Sequence, residues 1–193
     1  MAMKNSVLTK RLILAKLRCF VPETKPTASV EAAFIFPAVF WAYAAMFTYL
    51  EAFRAQAVAE KSAYAISDMI SRETRPITPT YMTNARNIYK DLSGLSPGET
   101  ALRVTLLRWD GSNNVFKVDW SKRRGDIPRL RTRDVTEYNT MLPTLINNER
   151  IILVETASDY DPAFSVGLEP RVIETFVFTR PRYAPQIVWD QDG

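Results

Sequence analysis

The sequence predicts an α+β fold in which one long N-terminal helix, both membrane span and spine, packs on a small antiparallel sheet. Three observations lead there. Ala32 to Leu50 runs for 19 residues without a charge. The residues after it keep a helical apolar stripe until the prolines at 76 and 79. Beyond residue 100, four segments rich in β-branched and aromatic residues are separated by turn-forming residues.

The formal charge of +4 over 193 residues is unevenly spread. Residues 1–30 hold six bases, from Lys4 to Lys25, against the single acid Glu23, which is +5. The remainder carries 19 basic and 20 acidic residues. The basic character therefore belongs to the leader, and the rest of the chain lacks the general cationic surface of a nucleic-acid-binding body. Within the leader, Leu8, Leu12, Ala15 and Phe20 alternate with cations. Two readings stay open: an amphipathic segment lying on an anionic inner leaflet, or a basic tail that sets topology.

Next comes the apolar run. A 19-residue helix is about 28 Å long, close to the roughly 30 Å hydrocarbon core of a bilayer. Core helices seldom continue this far without a charge, so residues 31–51 read as a transmembrane helix. Pro37 costs a backbone hydrogen bond near its start, which membrane helices tolerate. The preceding bases hold the N-terminus in the cytoplasm, so residues 52–193 are expected to be exported. No A-x-A-like cleavage site follows the run, and "EAFRAQAVAEKSAYAIS" continues as helix, which favours a retained anchor.

In the exported part, Leu50, Phe53, Ala57, Val58, Ile66, Met69 and Ile70 form the apolar stripe of a spine that stops at about residue 74 or 75. A second helix is expected after Thr80, with Tyr81, Ala85, Ile88, Tyr89 and Leu92 on one side and "SGLSPGE" ending it. "ALRVTLLRW" and "NVFKVDWS" read as strands joined by the Asp110-Gly111-Ser112-Asn113 hairpin turn. A short helix near 135–141 and two closing strands, 151–158 and 171–179, complete the domain.

Catalytic chemistry finds little support. Histidine is absent, which removes the commonest general base and metal ligand, and the single Cys19 cannot form an internal disulfide. No phosphate-binding glycine loop, metal-ligand spacing or nucleophile elbow is present, so no enzyme activity, cofactor, metal or small-molecule substrate is expected. Asp159 with Asp161, and Asp190 with Asp192, lack the further oxygen ligands of a calcium loop. The densest charge run, "SKRRGDIPRLRTR", carries Lys122, Arg123, Arg124, Arg129, Arg131 and Arg133. It reads as a solvated loop, with an acidic protein partner as the alternative. Nucleic acid, with Trp109 and Trp120 stacking on bases, comes behind both.

The stretch "ASVEAAFIFPAVF" resembles the N-terminus of the TadE-like pseudopilins of tight-adherence (Flp) pilus systems. Ser29, Val30, Glu31, Ala33 and Pro37 occupy the places of that family's motif. "ERIILVETASDYDPAF" and "ETFVFTRPRYAP" resemble its closing strand pair with an Arg-Pro-Arg ending. The resemblance implies a pilin-like fold and leader cleavage between Pro26 and Thr27. Proline there departs from the small residue such sites carry, so the leader is expected to stay attached. It further implies that Glu31 meets the N-terminal amine of a neighbouring subunit. The other reading of Glu31 is an interfacial carboxylate at a helix start, where the dipole favours it.

The apolar run and its flanking charges point to a single-pass inner-membrane protein with a periplasmic head, and the resemblance implies that it is a component of a pilus assembly machine. Its partners would be the membrane and other pilus-assembly proteins or pilins. The face of Ala33, Phe36, Phe40, Ala44 and Phe47 is expected to pack on neighbouring helices, where small residues allow close approach. An anchored exported binding module unrelated to pili is the alternative.

Overall fold

The computed structural model describes residues 27–94 and 100–191. The leader, with its amphipathic stretch, Cys19 and Pro26, lies outside the described residues, as does Asp192. The chain divides into two compact units after Met46.

Helix α1 covers Thr27–Ser71, 45 residues, with Pro37 inside it. It is long and apolar enough to cross a membrane, and 6% of its most apolar 18-residue window is buried. A core helix of a water-soluble domain would have most of that surface covered.

In the second unit, the face that α1 buries differs from the expected stripe. Ala52, Ala59, Ala63, Ile66 and Ile70 are buried, whereas Leu50 and Phe53 are 60% and 68% exposed. The alanines let the helix backbone approach its neighbours, Ile66 and Ile70 fill the core, and Leu50 and Phe53 turn outward. Ser62, Ser67 and Ser71 interleave with this stripe, and the Ser67 hydroxyl is buried without a hydrogen-bond partner among the described residues. Ser62 donates to the Val58 carbonyl at 2.7 Å and Ser71 to the Asp68 carbonyl at 2.8 Å, so their buried hydroxyls are satisfied.

The helix ends at Ser71, about a turn before Pro76. Its last turn tightens, with Arg72 N–H on the Met69 carbonyl and Glu73 N–H on that of Ile70. The Ser71 carbonyl accepts the backbone N–H of Arg182 at 2.8 Å instead of continuing the helical ladder. The stop is therefore made by a segment more than a hundred residues away in sequence.

Helix α2 spans Pro79–Ser93. Thr78 caps it by accepting the Tyr81 N–H at 3.2 Å, Pro79 occupies the first turn, and Gly94 closes it in the left-handed region. Met82, Ala85 and Tyr89 are buried, while Ile88 and Leu92 are half exposed, so the inward face is rotated from the expected one.

Four strands follow: β1 (Thr100–Asp110), β2 (Val115–Arg124), β3 (Arg150–Tyr160) and β4 (Arg171–Thr179). They form one antiparallel sheet in the order β2-β1-β3-β4. The hairpin turn forms where expected. The Asp110 carboxylate accepts the N–H groups of Ser112 and Asn113 and the Asn113 amide, and Asn114 adopts a positive φ of 51°.

Both faces of this sheet are covered. Leu102, Val104, Leu106, Ile152 and Val154 pack with Ile66, Ile70 and α2 in one core. On the opposite face Leu107, Ile151 and Leu153 pack with Leu130, Val135 and Leu142 of the segment between β2 and β3. That segment contains a 3-10 helix, η1 (Thr132–Tyr138), in place of the expected short helix at 135–141.

Gly125, where the chain leaves β2, has φ +85°, and an added Cβ would lie 2.6 Å from the Thr100 carbonyl oxygen and 2.8 Å from Ala101 Cα. Gly125→Ala is therefore expected to cost about 2–4 kcal/mol, combining left-handed strain with overpacking. Gly94→Ala, with φ +74° but nothing within 4 Å, is expected to cost only about 1–2 kcal/mol. Urea unfolding of the full chain in mild detergent, followed by tryptophan fluorescence, measures both. Equal losses would show that the close approach at Gly125 is not there.

Candidate functional site

The motif residues lie at the start of α1. Thr27 and Ser29 are within the helix, Val30 is 56% exposed, and Glu31 is exposed with no intrachain partner among the described residues. Its carboxylate is thus open to either reading given above. Ala33, Phe36, Pro37 and Phe40 are exposed, with Phe36 at 73% and Phe40 at 69%. Further along the expected packing face the situation changes. Ala44 is 6% exposed, and Phe47 holds an edge-on contact with Phe164 at 6.3 Å between ring centroids. Phe47 is therefore only partly open to a neighbouring helix. The free part of this face is Ala33, Phe36 and Phe40.

The basic run is divided between the two faces of the sheet. Strand β2 continues through Arg124, where a loop was expected, because Lys122, Arg123 and Arg124 pair with Val104, Arg103 and Leu102 of the buried β1. Backbone pairing along a long central strand overrides the local charge density. Lys122 lies over the Trp189 ring at 4.4 Å. Arg124 donates to the Pro79 carbonyl at 2.7 Å and to Thr83 Oγ1 at 3.0 Å, tying β2 to the first turn of α2. These two cations are engaged within the fold.

Arg123, Arg129, Arg131 and Arg133 instead line one open groove with Pro128 and Leu130. Arg133 pairs with Asp134 at 3.2 Å and Arg123 donates to the Gly125 carbonyl at 3.0 Å, while Arg129 and Arg131 are exposed and have no partner among the described residues. The tryptophans are half-buried and engaged within the fold. Trp120 donates to the Ile187 carbonyl at 2.9 Å and packs on Trp189, while Trp109 packs on Phe116 at 4.7 Å.

Beneath this groove lies a polar cluster that the sequence reading missed. Arg103 and Glu155 face each other directly across β1 and β3. Their side chains form a two-pronged ion pair, with Arg103 7% and Glu155 6% exposed. Arg103 also donates to the Pro128 carbonyl at 2.6 Å, and the Tyr138 hydroxyl donates to Glu155 at 2.8 Å. Burial first, and then Glu155, push the Tyr138 phenol up to about 12, so it remains a donor at all ordinary pH. The cluster fixes the arginine-bearing loop and η1 onto the sheet. The available signal was an arginine and a glutamate inside two strands with apolar residues at both parities, which implies covered faces on both sides.

Asp119 occupies the bulge where β2 gains one residue against Leu106 and Leu107. Its carboxylate accepts from Arg108 at 3.2 Å and Arg150 at 2.8 Å, relieving two like charges placed opposite each other on β1 and β3. Asp159 and Asp161 are exposed at the end of β3, and no group of acids, Cys or His among the described residues is arranged to hold a metal.

At the other end of the chain, the Arg-Pro-Arg sequence clamps the spine. Besides the Arg182 backbone bond to Ser71, the Arg182 side chain reaches Asp68 at 3.2 Å, and Asp68 also pairs with Arg72 at 2.8 Å. Arg180 meets Glu149 at 2.9 Å. These exposed pairs are each worth less than about 1 kcal/mol, so the backbone bond matters more.

Compared with known proteins, the chain matches no family model, no curated protein and no solved structure.

Proposed function

We propose that the chain is a membrane-anchored, TadE-like pseudopilin component of a tight-adherence pilus assembly machine, acting by helix packing and protein contact. The observation that carries this reading is the division of labour along α1. Its first part presents Phe34, Phe36, Phe40 and Trp41 at 61–76% exposure, while its later part is buried under an α+β head. A helix built this way leaves its membrane section available to lipid and to neighbouring helices. The motif Ser29-Val30-Glu31 with Ala33 and Pro37, and the clamp made by Arg182, add the family resemblance. The basic leader supports a cytoplasmic N-terminus, and hence a periplasmic head on a bacterial inner membrane.

Photo-crosslinking in native membranes tests the packing face. Probes at Phe36 and Phe40 are expected to yield discrete products with a pilin-like, single-span partner identified by mass spectrometry. Probes at Ala38 and Ala42, on the opposite side of the helix, are expected to yield at least fivefold less. Equal yields from all four positions would end the helix-packing account. Products only with proteins outside a pilus machine would favour the anchored binding module.

A further inference from the structure

The loop joining β3 to β4 runs from Asp161 to Pro170, and between Asp161 and Glu169 it has seven uncharged residues, Pro162 to Leu168. It lies against α1 where the apolar run ends. Phe164 packs on Phe47, Gly167 with its positive φ of 91° turns beside the Tyr49 hydroxyl, and Tyr160 donates to the Thr48 carbonyl at 3.4 Å. Phe47 is three residues before Leu50, so it lies about 4.5 Å nearer the membrane interior along the helix. Phe164 is nonetheless 45% exposed, and on the helix Leu50 and Phe53 are exposed at 60% and 68%. The charged groups Glu51, Arg54, Asp159, Asp161 and Arg171 line a groove beside this apolar patch.

We propose that the Pro162–Leu168 loop is a second membrane contact, with Phe164 inserted among lipid headgroups and upper acyl chains beside the anchor. The inference rests on α1 being a membrane span. A bilayer that takes up Phe47 and Tyr49 must meet the loop resting on them, whereas a protein neighbour at that level is optional. The aromatic ring suits the interfacial layer, and the acids bounding the loop mark its watery limit. The contact fixes which side of the helix faces the interface, because a helix alone leaves rotation about its axis free.

The test places an environment-sensitive fluorophore on single cysteines of the full chain in a Cys19→Ser background, reconstituted in phosphatidylcholine–phosphatidylglycerol vesicles. Phe164→Cys and Ser165→Cys report on the loop, Ile146→Cys on the exposed head, and Val39→Cys on the span. Labels at 164 and 165 are expected to be quenched by lipids spin-labelled high on the acyl chain at least threefold more than the label at 146. Quenching of 164 and 165 by aqueous iodide to the level of 146, with 39 still quenched by lipid, would overturn the loop insertion alone. Protection of 164 and 165 from both quenchers would overturn it in favour of a protein cover. A label at 39 open to iodide would overturn the membrane span itself, and the loop contact with it.

Discussion

Glu155→Leu is expected to lower the unfolding free energy of the head by about 3–5 kcal/mol, a large part of the stability of a domain this size. The cost comes from what is left behind. Burial by itself would push the Arg103 guanidinium toward losing its proton; the hydrogen bonds and charge of Glu155, with Tyr138 behind it, outweigh that and raise its pKa. Without the carboxylate, a buried cation keeps only the Pro128 carbonyl and the Tyr138 oxygen as partners. Arg103→Met combined with Glu155→Leu removes both charges and is expected to recover to within about 1–2 kcal/mol of the wild type. The single variant should also cut faster with trypsin at Arg129 and Arg131, because the cluster holds their loop down. Urea unfolding of the full chain in detergent, with a digestion time course, reads both effects. A loss under about 1 kcal/mol for Glu155→Leu would mean that the pair does not form as described.

That cluster also shows where sequence reasoning stops. The strands, their antiparallel sheet and the Asp110 hairpin were legible, because alternation and turn chemistry are local, but the order β2-β1-β3-β4 was not. The long helix was legible too, since an uncharged 19-residue run has few other uses. What decided the finer features was remote. Arg103 and Glu155 are 52 residues apart, and only the register between β1 and β3 makes them opposite. The end of α1 at Ser71 depends on Arg182, and the extension of β2 through Arg124 depends on a β1 that is buried along most of its length. The inward face of the spine was misread at Leu50 and Phe53 because apolar size was taken as a sign of burial. Beside a membrane, large apolar residues have an outward use, and alanine becomes the residue that allows close packing.

Two charges at the middle of the apolar run should release the protein from the membrane. Phe40 and Trp41 lie at the centre of Ala32–Leu50, and a guanidinium there costs about 2.5–3.5 kcal/mol on insertion scales. One substitution shifts insertion by roughly 70- to 400-fold, and Phe40→Arg with Trp41→Arg by about 5–7 kcal/mol, enough to oppose most of the run's apolar gain. The wild type is expected to remain with membranes through an alkaline carbonate wash, and the double variant to be extracted or degraded. The same change separates the alternatives. If α1 stood in water, Phe40 at 69% and Trp41 at 61% exposure would be ordinary surface positions, and arginine would be neutral or improve solubility. Ile146→Arg, at a head position 79% exposed, is the matched control and should change nothing in either case. Retention of the double variant in the washed membranes, or recovery of the wild type as a soluble monomer without detergent, would remove the anchor and every reading built on it.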